Sequence, residues 1–313
     1  MTIRTTLSIA AICAALAACS PKEETATTET AAADAAAPAH TIAESADVKP
    51  FMIGAFEAAA LRDGGGQFPN DAKTFATNHT PEEVSAVLAA AGQPTDTVSV
   101  SIQPLLVKTP GAVLLFDTGA GGAMGAGAGM TPGSLAAAGV DPTAIDHIFI
   151  SHSHGDHIGG LATAEGAPAF PNASIHISAP EWAWMQSNAA MADLVAAISP
   201  NVVTFEPGAE LIPGVVKAVE IKGHTPGHSG YEITSEGESL LYWGDTAHNF
   251  IISVEHPDWT IAFDSDAPTA EASREAVLAQ AADSGQRIYA VHFPFPGLGH
   301  IKRTDTGFAW VPE

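Results

Sequence analysis

Three histidines and an aspartate lie close together in the segment SHSHGDHIGGL. Residues two apart in an extended chain point to the same side, so His152 and His154 can reach one metal ion. Gly155 lets the chain bend directly afterwards, which directs Asp156 and His157 towards a second ion nearby. Imidazole and carboxylate ligands suit zinc, or a similar ion such as manganese, iron or cobalt. Scattered surface histidines seldom have this spacing, and the segment therefore predicts a metal site.

Other residues of metal-binding type follow short apolar runs elsewhere in the chain. Asp117, His152, Asp245 and His292 each stand at the carboxyl end of a strand-like run. Loops that carry ligands tend to gather at the carboxyl ends of strands in α/β proteins. Four such ends therefore predict one shared site.

The elements that position these residues alternate between strand-like and helical patterns. One helical segment begins after Thr80 as its cap and stops at Gly92, and another begins after Thr269 and stops at Gly285. This mixture predicts sheets covered by helices around one core. The strand-like runs are VSVSIQPLLV, AVLLFD, HIFIS, ASIHIS, GVVKAVEI, SLLYWGD and RIYAVH.

The charge of the chain excludes one class of partner. It carries 12 basic and 35 acidic residues, a formal net charge of −23 at pH 7. A nucleic-acid backbone would be repelled, so the substrate is expected to be a small molecule and not a nucleic acid.

The first segment, MTIRTTLSIAAICAALAACS, has the layout of a secretory signal. Its end, LAAC, resembles a bacterial lipoprotein signal. The resemblance implies a signal peptide at 1–18, cleavage before Cys19 and a lipid on its sulfur, which predicts an exported, periplasmic, membrane-anchored lipoprotein. The alternative is an ordinary signal with an incidental cysteine. Since Cys13 lies inside the signal, the mature chain is expected to have neither a disulfide nor a thiol ligand.

Alanine, threonine, glutamate and proline dominate the segment that follows the signal. Such a composition buries too little apolar surface to fold, so residues 19–48 are predicted to be a disordered tether. One folded domain is expected at 49–313.

Several motifs of this domain resemble the metallo-β-lactamase-fold hydrolases. SHSHGDH matches their HxHxDH signature, and LLFDTGAGG, GHTPGHS, LLYWGDT and YAVHFPFPGLGHI resemble other motifs of that family in the expected order. The resemblance implies that 49–313 is a catalytic domain with an αββα sandwich. This is an α+β fold in which two mixed sheets lie face to face, with helices outside and metals at one edge.

One subgroup is the most similar. FMIGAFEAAALRDG, FDSD and HFPFPGLGHI look like the methyl parathion hydrolase group, whose members are exported binuclear hydrolases with phosphotriesterase, aryl esterase and lactonase activities. Relatives often form dimers, so the resemblance leaves a homodimer open.

The resemblance also implies a set of ligands for two divalent ions, with zinc as the first choice. They are His152, His154 and His228 for one ion, Asp156, His157 and His292 for the other, and Asp245 between both. Such a pair of ions supplies hydroxide from a bridging water, which attacks an ester carbonyl or a phosphorus centre. Asp245 would then carry a proton to the leaving group.

Further residues are expected around these ligands. Asp117, His224 and His300 would orient ligands without binding metal. His248 is three residues past Asp245, where it would donate a proton, assist the substrate oxygen, or serve only the loop; these options stay open. The residues expected to line the substrate pocket are Trp182, Trp184, Phe250 and Phe293.

These inferences predict a hydrolase of neutral esters, above all lactones or aryl esters, with phosphotriesterase activity as an additional reaction. Three alternatives remain. A β-lactamase of the same fold generally lacks the aspartate equivalent to Asp245. A glutathione thioesterase needs basic residues, and only Lys302 and Arg303 are offered near the last motif. A non-catalytic metal-binding lipoprotein would bind the ions without turnover.

Overall fold

The computed structural model describes residues 41–122 and 124–313. The predicted signal peptide, Cys19 and most of the predicted tether lie outside the described residues. Ordered structure begins earlier than the predicted boundary at 49. Ile42 is buried and its N–H donates to the Glu57 carboxylate at 2.6 Å. The last part of the predicted tether therefore packs on the domain, because it contains two apolar side chains, Ile42 and Val48, that the domain buries.

The described residues form sixteen strands and seven α-helices. The strands are β1 (Val48–Ile53), β2 (Phe56–Leu61), β3 (Gly64–Pro69), β4 (Thr97–Ile102), β5 (Leu105–Lys108), β6 (Val113–Phe116), β7 (His147–Phe149), β8 (Ser174–Ser178), β9 (Val202–Phe205), β10 (Glu210–Ile212), β11 (Val216–Glu220), β12 (Ser229–Ser235), β13 (Glu238–Tyr242), β14 (Arg287–Tyr289), β15 (Leu298–Arg303) and β16 (Phe308–Pro312). The helices are α1 (Pro81–Ala90), α2 (Thr131–Ala137), α3 (Gly155–Ile158), α4 (Ala179–Ser187), α5 (Ala192–Ile198), α6 (Ile252–Glu255) and α7 (Ala267–Ser284).

Two seven-stranded mixed sheets make up most of the domain. The first has the order β1-β2-β5-β6-β7-β8-β9, and the second has the order β10-β11-β12-β13-β14-β15-β16. Strands β6, β7, β8 and β9 run parallel to one another, and β13 runs parallel to β14. All other neighbouring strands of the two sheets are antiparallel. Strands β3 and β4 form a separate antiparallel hairpin.

The two sheets pack face to face through one apolar core. Phe116 and Phe149 of the first sheet contact Tyr231 of the second, with ring centroids 5.5 to 5.6 Å apart. Helices cover the outer faces, where Met185 of α4 packs on the first sheet and Leu278 of α7 packs on the second. The predicted αββα sandwich is confirmed. None of the helices within the described ranges is long and apolar enough to cross a membrane.

The helix ends follow from capping chemistry. Thr80 and Glu83 form a reciprocal capping box at the start of α1, as expected for a cap at Thr80. At α7 the cap is Asp266, whose carboxylate accepts the Thr269 N–H, so the predicted cap lies inside the first turn. Gly285 ends α7 with φ +68°, a left-handed conformation that glycine adopts without strain.

The parallel strands bring the four residues of metal-binding type that follow strands to one edge of the sandwich. Asp117 follows β6 and His152 follows β7 in the first sheet, whereas Asp245 follows β13 and His292 follows β14 in the second. Each pair of strands is parallel and adjacent, so its carboxyl ends coincide. Because the sheets face each other, all four loops meet at one end of the sandwich.

Candidate metal centre

The HxHxDH segment is extended up to His154 and continues as the short helix α3 from Gly155. His154 is the last extended residue, with φ −72° and ψ +155°, and α3 begins at Gly155. His152 Nε2 and His154 Nδ1 approach each other to 3.0 Å. The predicted bend at Gly155 therefore separates these two histidines from Asp156 and His157.

A first cluster contains three imidazoles and one carboxylate. His224 Nε2 lies 3.0 Å from His154 Nδ1, 3.2 Å from His152 Nε2 and 3.2 Å from Asp245 Oδ2. The four ligand atoms all lie within 4.8 Å of one another, so they could hold one metal ion.

A second cluster lies on the other side of Asp245. Its members Asp156, His157 and His292 also have ligand atoms within 4.8 Å of one another. Asp245 Oδ1 lies 3.1 Å from His157 Nε2 and 3.0 Å from His292 Nε2. The two oxygens of one carboxylate are thus divided between the clusters, which is the geometry expected of a ligand that both ions share.

The structure corrects the prediction for the two histidines of GHTPGH. His228 uses both ring nitrogens within the protein, because Nε2 accepts the Asp245 N–H at 2.9 Å and Nδ1 donates to the Ile221 carbonyl at 2.9 Å. Burial and the neighbouring His224 lower the pKa of His228 to about 3. His224, which was expected only to orient ligands, occupies the position predicted for His228.

The reason lies in the turn before the motif. Gly223 has φ +109°, and a Cβ there would overlap the backbone of Ala270 at the start of α7. The chain can therefore turn tightly against α7 and carry the first histidine of the motif into the cluster. Spacing within GHTPGH does not reveal this, since both histidines point towards the same end of the sandwich.

The protein environment acts differently on the individual histidines. Burial lowers the pKa of His154 to about 4, and the nearby His224 adds to this effect. Burial also opposes a charge on His224, but hydrogen bonds to Asp245 and Asp264 outweigh it and raise its pKa to about 9. Such strong mutual perturbation among buried groups is typical of functional sites.

Buried atoms without partners test whether metal ions fit. Among the described residues, His157 Nε2, Asp245 Oδ1 and both nitrogens of His248 are buried without a hydrogen bond. Buried polar atoms normally have partners, and the unpartnered His157 Nε2 and Asp245 Oδ1 belong to the ligand clusters, so a cation bound there would satisfy both. Imidazole and carboxylate donors suit zinc and similar divalent ions. The residues present therefore fit two metals.

Asp117 lies next to the second cluster and hydrogen-bonds His157. Its Oδ2 accepts from His157 Nδ1 at 2.7 Å and from the Tyr242 hydroxyl at 2.6 Å, and Oδ1 accepts the Ser151 N–H at 2.7 Å. The residue has φ +56°, a strained backbone for a non-glycine. A donated Nδ1–H leaves the lone pair of His157 Nε2 free for a metal.

Sequence analysis missed the residues that orient the other histidines. His224 Nδ1 lies 2.8 Å from Asp264 Oδ1, and the buried Arg274 donates to the other oxygen of Asp264 at 2.8 Å. His292 Nδ1 donates to the Ser101 carbonyl at 2.8 Å. These partners come from α7, the loop before it and β4. The FDSD motif contains Asp264, but nothing local distinguishes it from its neighbour Asp266.

His300 does not belong to the site, contrary to prediction. It lies on β15, where Nε2 is 3.0 Å from a Glu313 carboxylate oxygen and Nδ1 contacts the Gly285 carbonyl. The strand carries it away from the carboxyl end of β14, so it pairs with the end of the chain instead.

A cavity of about 350 Å³ opens above the clusters. His248 lies in its wall, stacked on His292 with ring centroids 5.3 Å apart, and its Nε2 is 3.1 Å from Asp245 Oδ2. No lysine or arginine lines the cavity within the described part of the chain. The lining residues are Phe68, Val100, Ile102, Met124, His154, Gly155, Asp156, Asp245, His248, Phe263 and His292.

The four predicted pocket residues are not among those lining the cavity. Trp184 comes nearest, with its ring 6.0 Å from that of His154. Trp182 packs on the outer core of the first sheet, and Phe250 and Phe293 pack against each other beside Trp243. Phe250 and Phe293 point back into the core, and the hairpin β3–β4 supplies apolar residues of the wall instead.

Comparisons with known proteins agree with this geometry. Residues 100–292 match the family described as the metallo-beta-lactamase superfamily. A solved structure described as AidC, a dizinc quorum-quenching lactonase in complex with the product N-hexanoyl-L-homoserine, is 31% identical, with a TM-score of 0.81 over 85% of this chain and 97% of that one. The hydrolase AbOPH of the beta-lactamase superfamily is 29% identical, with a TM-score of 0.79 over 87% and 99%.

A more distant structure shares the fold. A probable metal-dependent hydrolase from Staphylococcus aureus is 20% identical, with a TM-score of 0.66 over 84% of this chain and 99% of that one. A search of curated proteins returned no match. Family match, fold and the two ligand clusters agree: the chain belongs to the metallo-beta-lactamase superfamily and is a metal-dependent hydrolase.

Proposed function

We propose that this protein hydrolyses neutral esters, with lactones as its main substrates, at a pair of divalent ions, preferably zinc. One observation carries the proposal: the carboxylate of Asp245 reaches both ligand clusters at the floor of an apolar cavity. The likeness to a dizinc lactonase at 31% identity supports this substrate class. We also propose kinship with the methyl parathion hydrolase group, on the motifs given above.

The ligand assignment follows the geometry of the side chains. His152, His154 and His224 would hold one ion, Asp156, His157 and His292 would hold the other, and Asp245 would bind both. Bound there, the two ions would lower the pKa of a water molecule and polarise the oxygen of the ester.

Two residues are placed to move or hold a proton. Asp245 lies between the clusters and can pass a proton from the attacking water to the leaving oxygen. His248 lines the cavity, and its Nε2 lies 3.1 Å from Asp245 Oδ2. An N–H at this atom can donate to the leaving oxygen or to the carbonyl oxygen of the substrate.

The charge of the cavity favours neutral substrates over the alternatives. Its charged side chains are Asp156 and Asp245, and its walls are apolar. A β-lactam carries a carboxylate and a glutathione thioester carries two, and the described lining of this cavity offers no lysine or arginine to pair with them. A neutral lactone needs none.

Phosphotriesters are a second substrate class that the same cavity favours. They are neutral, and the exposed ring of Phe263 stands with Phe68 at the cavity, with ring centroids 5.9 Å apart. Aromatic walls of this kind can hold an aryl leaving group.

A substrate panel tests the proposal. Zinc-loaded protein would be assayed against homoserine lactones, dihydrocoumarin, p-nitrophenyl acetate, a paraoxon-type triester, nitrocefin and lactoylglutathione. We expect turnover of the lactones and aryl esters, slower turnover of the triester and none of nitrocefin. Turnover of nitrocefin alone would identify a β-lactamase. Silence on every substrate despite two bound metals would identify a metal-binding protein without this activity.

We further propose that the protein is exported and anchored in the membrane through a lipid on Cys19. The proposal rests on the signal-like segment and on LAAC. Labelling with a radioactive fatty acid in a bacterial host should mark the wild type and not C19S. Unlabelled wild type in the soluble periplasmic fraction would instead indicate an ordinary signal.

A further inference from the structure

A buried carboxylate outside the ligand set lies next to the first cluster. Glu181, in the first turn of α4, is fully buried and accepts four hydrogen bonds. Oε1 accepts from the Ser153 N–H at 2.8 Å and the Ser153 hydroxyl at 2.7 Å. Oε2 accepts from the Thr225 hydroxyl at 2.7 Å and the Gly227 N–H at 2.9 Å. One carboxylate thus joins two separate loops.

These two loops carry the three histidines of the first cluster. Ser153 lies between His152 and His154, and Thr225 directly follows His224. The four hydrogen bonds therefore hold the chain directly beside the three histidines of the first cluster, whereas Asp156 and His157 follow the bend at Gly155 and His292 lies in another loop.

The second loop is packed directly on the start of α4. Ser178, the cap of α4, donates its hydroxyl to the Gly227 carbonyl at 2.6 Å. A Cβ at Gly227 would overlap both the Glu181 backbone nitrogen and the Ser178 hydroxyl oxygen. A glycine at 227 is therefore needed for the loop to reach Glu181.

A carboxylate suits this position better than an amide. An ionised carboxylate only accepts hydrogen bonds, and all four groups around Glu181 can donate. The amide of glutamine has one accepting and one donating end, so its NH₂ would oppose a backbone N–H of one loop or the other. Leaving a buried donor without an acceptor destabilises the arrangement.

From this geometry we infer that Glu181 is a positioning residue that fixes the three histidines of the first cluster and sets the affinity of that site for its metal. It touches neither the ligand atoms nor the substrate cavity. The inference rests on the proposed metal binding, and it adds a residue that acts on one of the two sites alone.

The chain provides a matched control. Asp63 is equally buried and also accepts from four donors, namely the N–H groups of Ala120, Gly129 and Thr131 and the Thr131 hydroxyl. These donors belong to the glycine-rich segment 119–131 and to α2, which carry no ligand. D63N therefore creates the same kind of buried defect without touching Ser153, Thr225 or Gly227, the residues that Glu181 holds.

The experiment compares wild type, E181Q, G227A and D63N, each loaded with zinc or cobalt and titrated against a chelator. We expect two metals per chain for wild type and D63N. E181Q and G227A should lose one metal roughly 10- to 100-fold more readily while keeping the other, which is the usual cost of losing a residue that orients ligands. The visible spectrum of the cobalt form should lose the bands of one site only.

The other outcomes are distinguishable. E181Q and G227A that retain two metals with wild-type affinity would overturn the inference about Glu181, and so would equal loss of both metals in E181Q and D63N, which would indicate general destabilisation. Wild type without metal would overturn both the inference and the proposed function. Wild type with two metals and no ester turnover would overturn the proposed function alone.

Discussion

The ring nitrogens of the site histidines explain why the ligand atoms converge. His157, His224 and His292 each direct Nδ1 to an oxygen of the protein, at 2.7 to 2.8 Å. A proton on Nδ1 leaves a lone pair on Nε2, which faces a cluster. The orientation of each imidazole is thus determined by a residue that lies outside the metal site.

His224 and His228 give the sharpest contrast at this scale. H224A should remove a ligand of the first cluster, lose one metal per chain and lower kcat/KM by at least about 100-fold. H228N should keep both metals, because both ring nitrogens of His228 are hydrogen-bonded to backbone groups, of Asp245 and Ile221. Elemental analysis and lactone kinetics measure both effects. Loss of metal in H228N with retention in H224A would reverse the assignment.

His248 can be tested through the leaving group. H248F keeps a ring stacked on His292 but removes the donor, so kcat should fall by about 100-fold with two metals retained. If His248 protonates the leaving oxygen, the loss should be larger for lactones than for p-nitrophenyl acetate, whose leaving group needs no proton. Equal losses would indicate assistance to the carbonyl oxygen, and unchanged kcat would leave His248 with a loop role.

At the scale of elements, the hairpin β3–β4 links the cavity to the metal centre. Val100 and Ile102 of β4 line the cavity, and Ser101 between them accepts from His292 at its carbonyl. The strand therefore serves the cavity through the side chains of Val100 and Ile102 and orients His292 through a backbone carbonyl.

The wall of the cavity predicts an effect on KM. F68A should raise KM for aryl and long-chain esters about tenfold, with little change in kcat. F250A is the matched control, since Phe250 packs against Phe293 in the core and does not line the cavity. A larger effect of F250A than of F68A on KM would restore the original pocket assignment.

His147 of β7 and His176 of β8 form a pair of neighbouring histidines outside the two ligand clusters. Burial, together with His147 at 3.0 Å, lowers the pKa of His176 to about 4. In the unfolded chain His176 takes up a proton near pH 6.5, whereas in the folded chain it stays neutral down to about pH 4. The contribution of the neutral, buried His176 to the free energy of unfolding is therefore complete above pH 6.5 and is lost as the pH falls towards 4. The loss should approach about 3 kcal/mol.

The free energy of unfolding of wild type and H176Q, measured between pH 4.5 and 7.5, isolates this effect. Acid also releases metal, but it does so in both proteins, so the difference between them reports on His176. As the pH falls, the free energy of unfolding of the wild type should decrease more than that of H176Q. A difference that stays constant over this range would contradict the burial argument.

Sequence patterns predicted the elements better than the contacts between them. The HxHxDH segment and the strand ends before Asp117 and Asp245 were recognisable because each is a local pattern. That His224 and not His228 joins the first cluster depends on the turn at Gly223 against α7, which is not a local pattern. Glu181 contacts two loops that are distant in sequence, so it was not recognisable either. The apolar wall was missed because it comes from a hairpin without any metal-binding motif.

At the scale of the whole molecule, the sandwich assembles the site from both sheets. Asp117 and His152 follow strands of the first sheet, and Asp245 and His292 follow strands of the second. Neither sheet alone carries a complete cluster, since Asp245 completes both. The net charge of −23 adds a general repulsion of anions to a cavity whose described lining contains neither lysine nor arginine. The fold and the charge together favour metal ions and neutral substrates.

The most direct test of the account is an anomalous difference map from crystals of the zinc-loaded protein. We expect two peaks about 3.5–4 Å apart. One should lie about 2.0–2.2 Å from His152, His154 and His224, the other at similar distances from Asp156, His157 and His292, with one oxygen of Asp245 on each. A single peak, or a peak bound by His228 in place of His224, would contradict it.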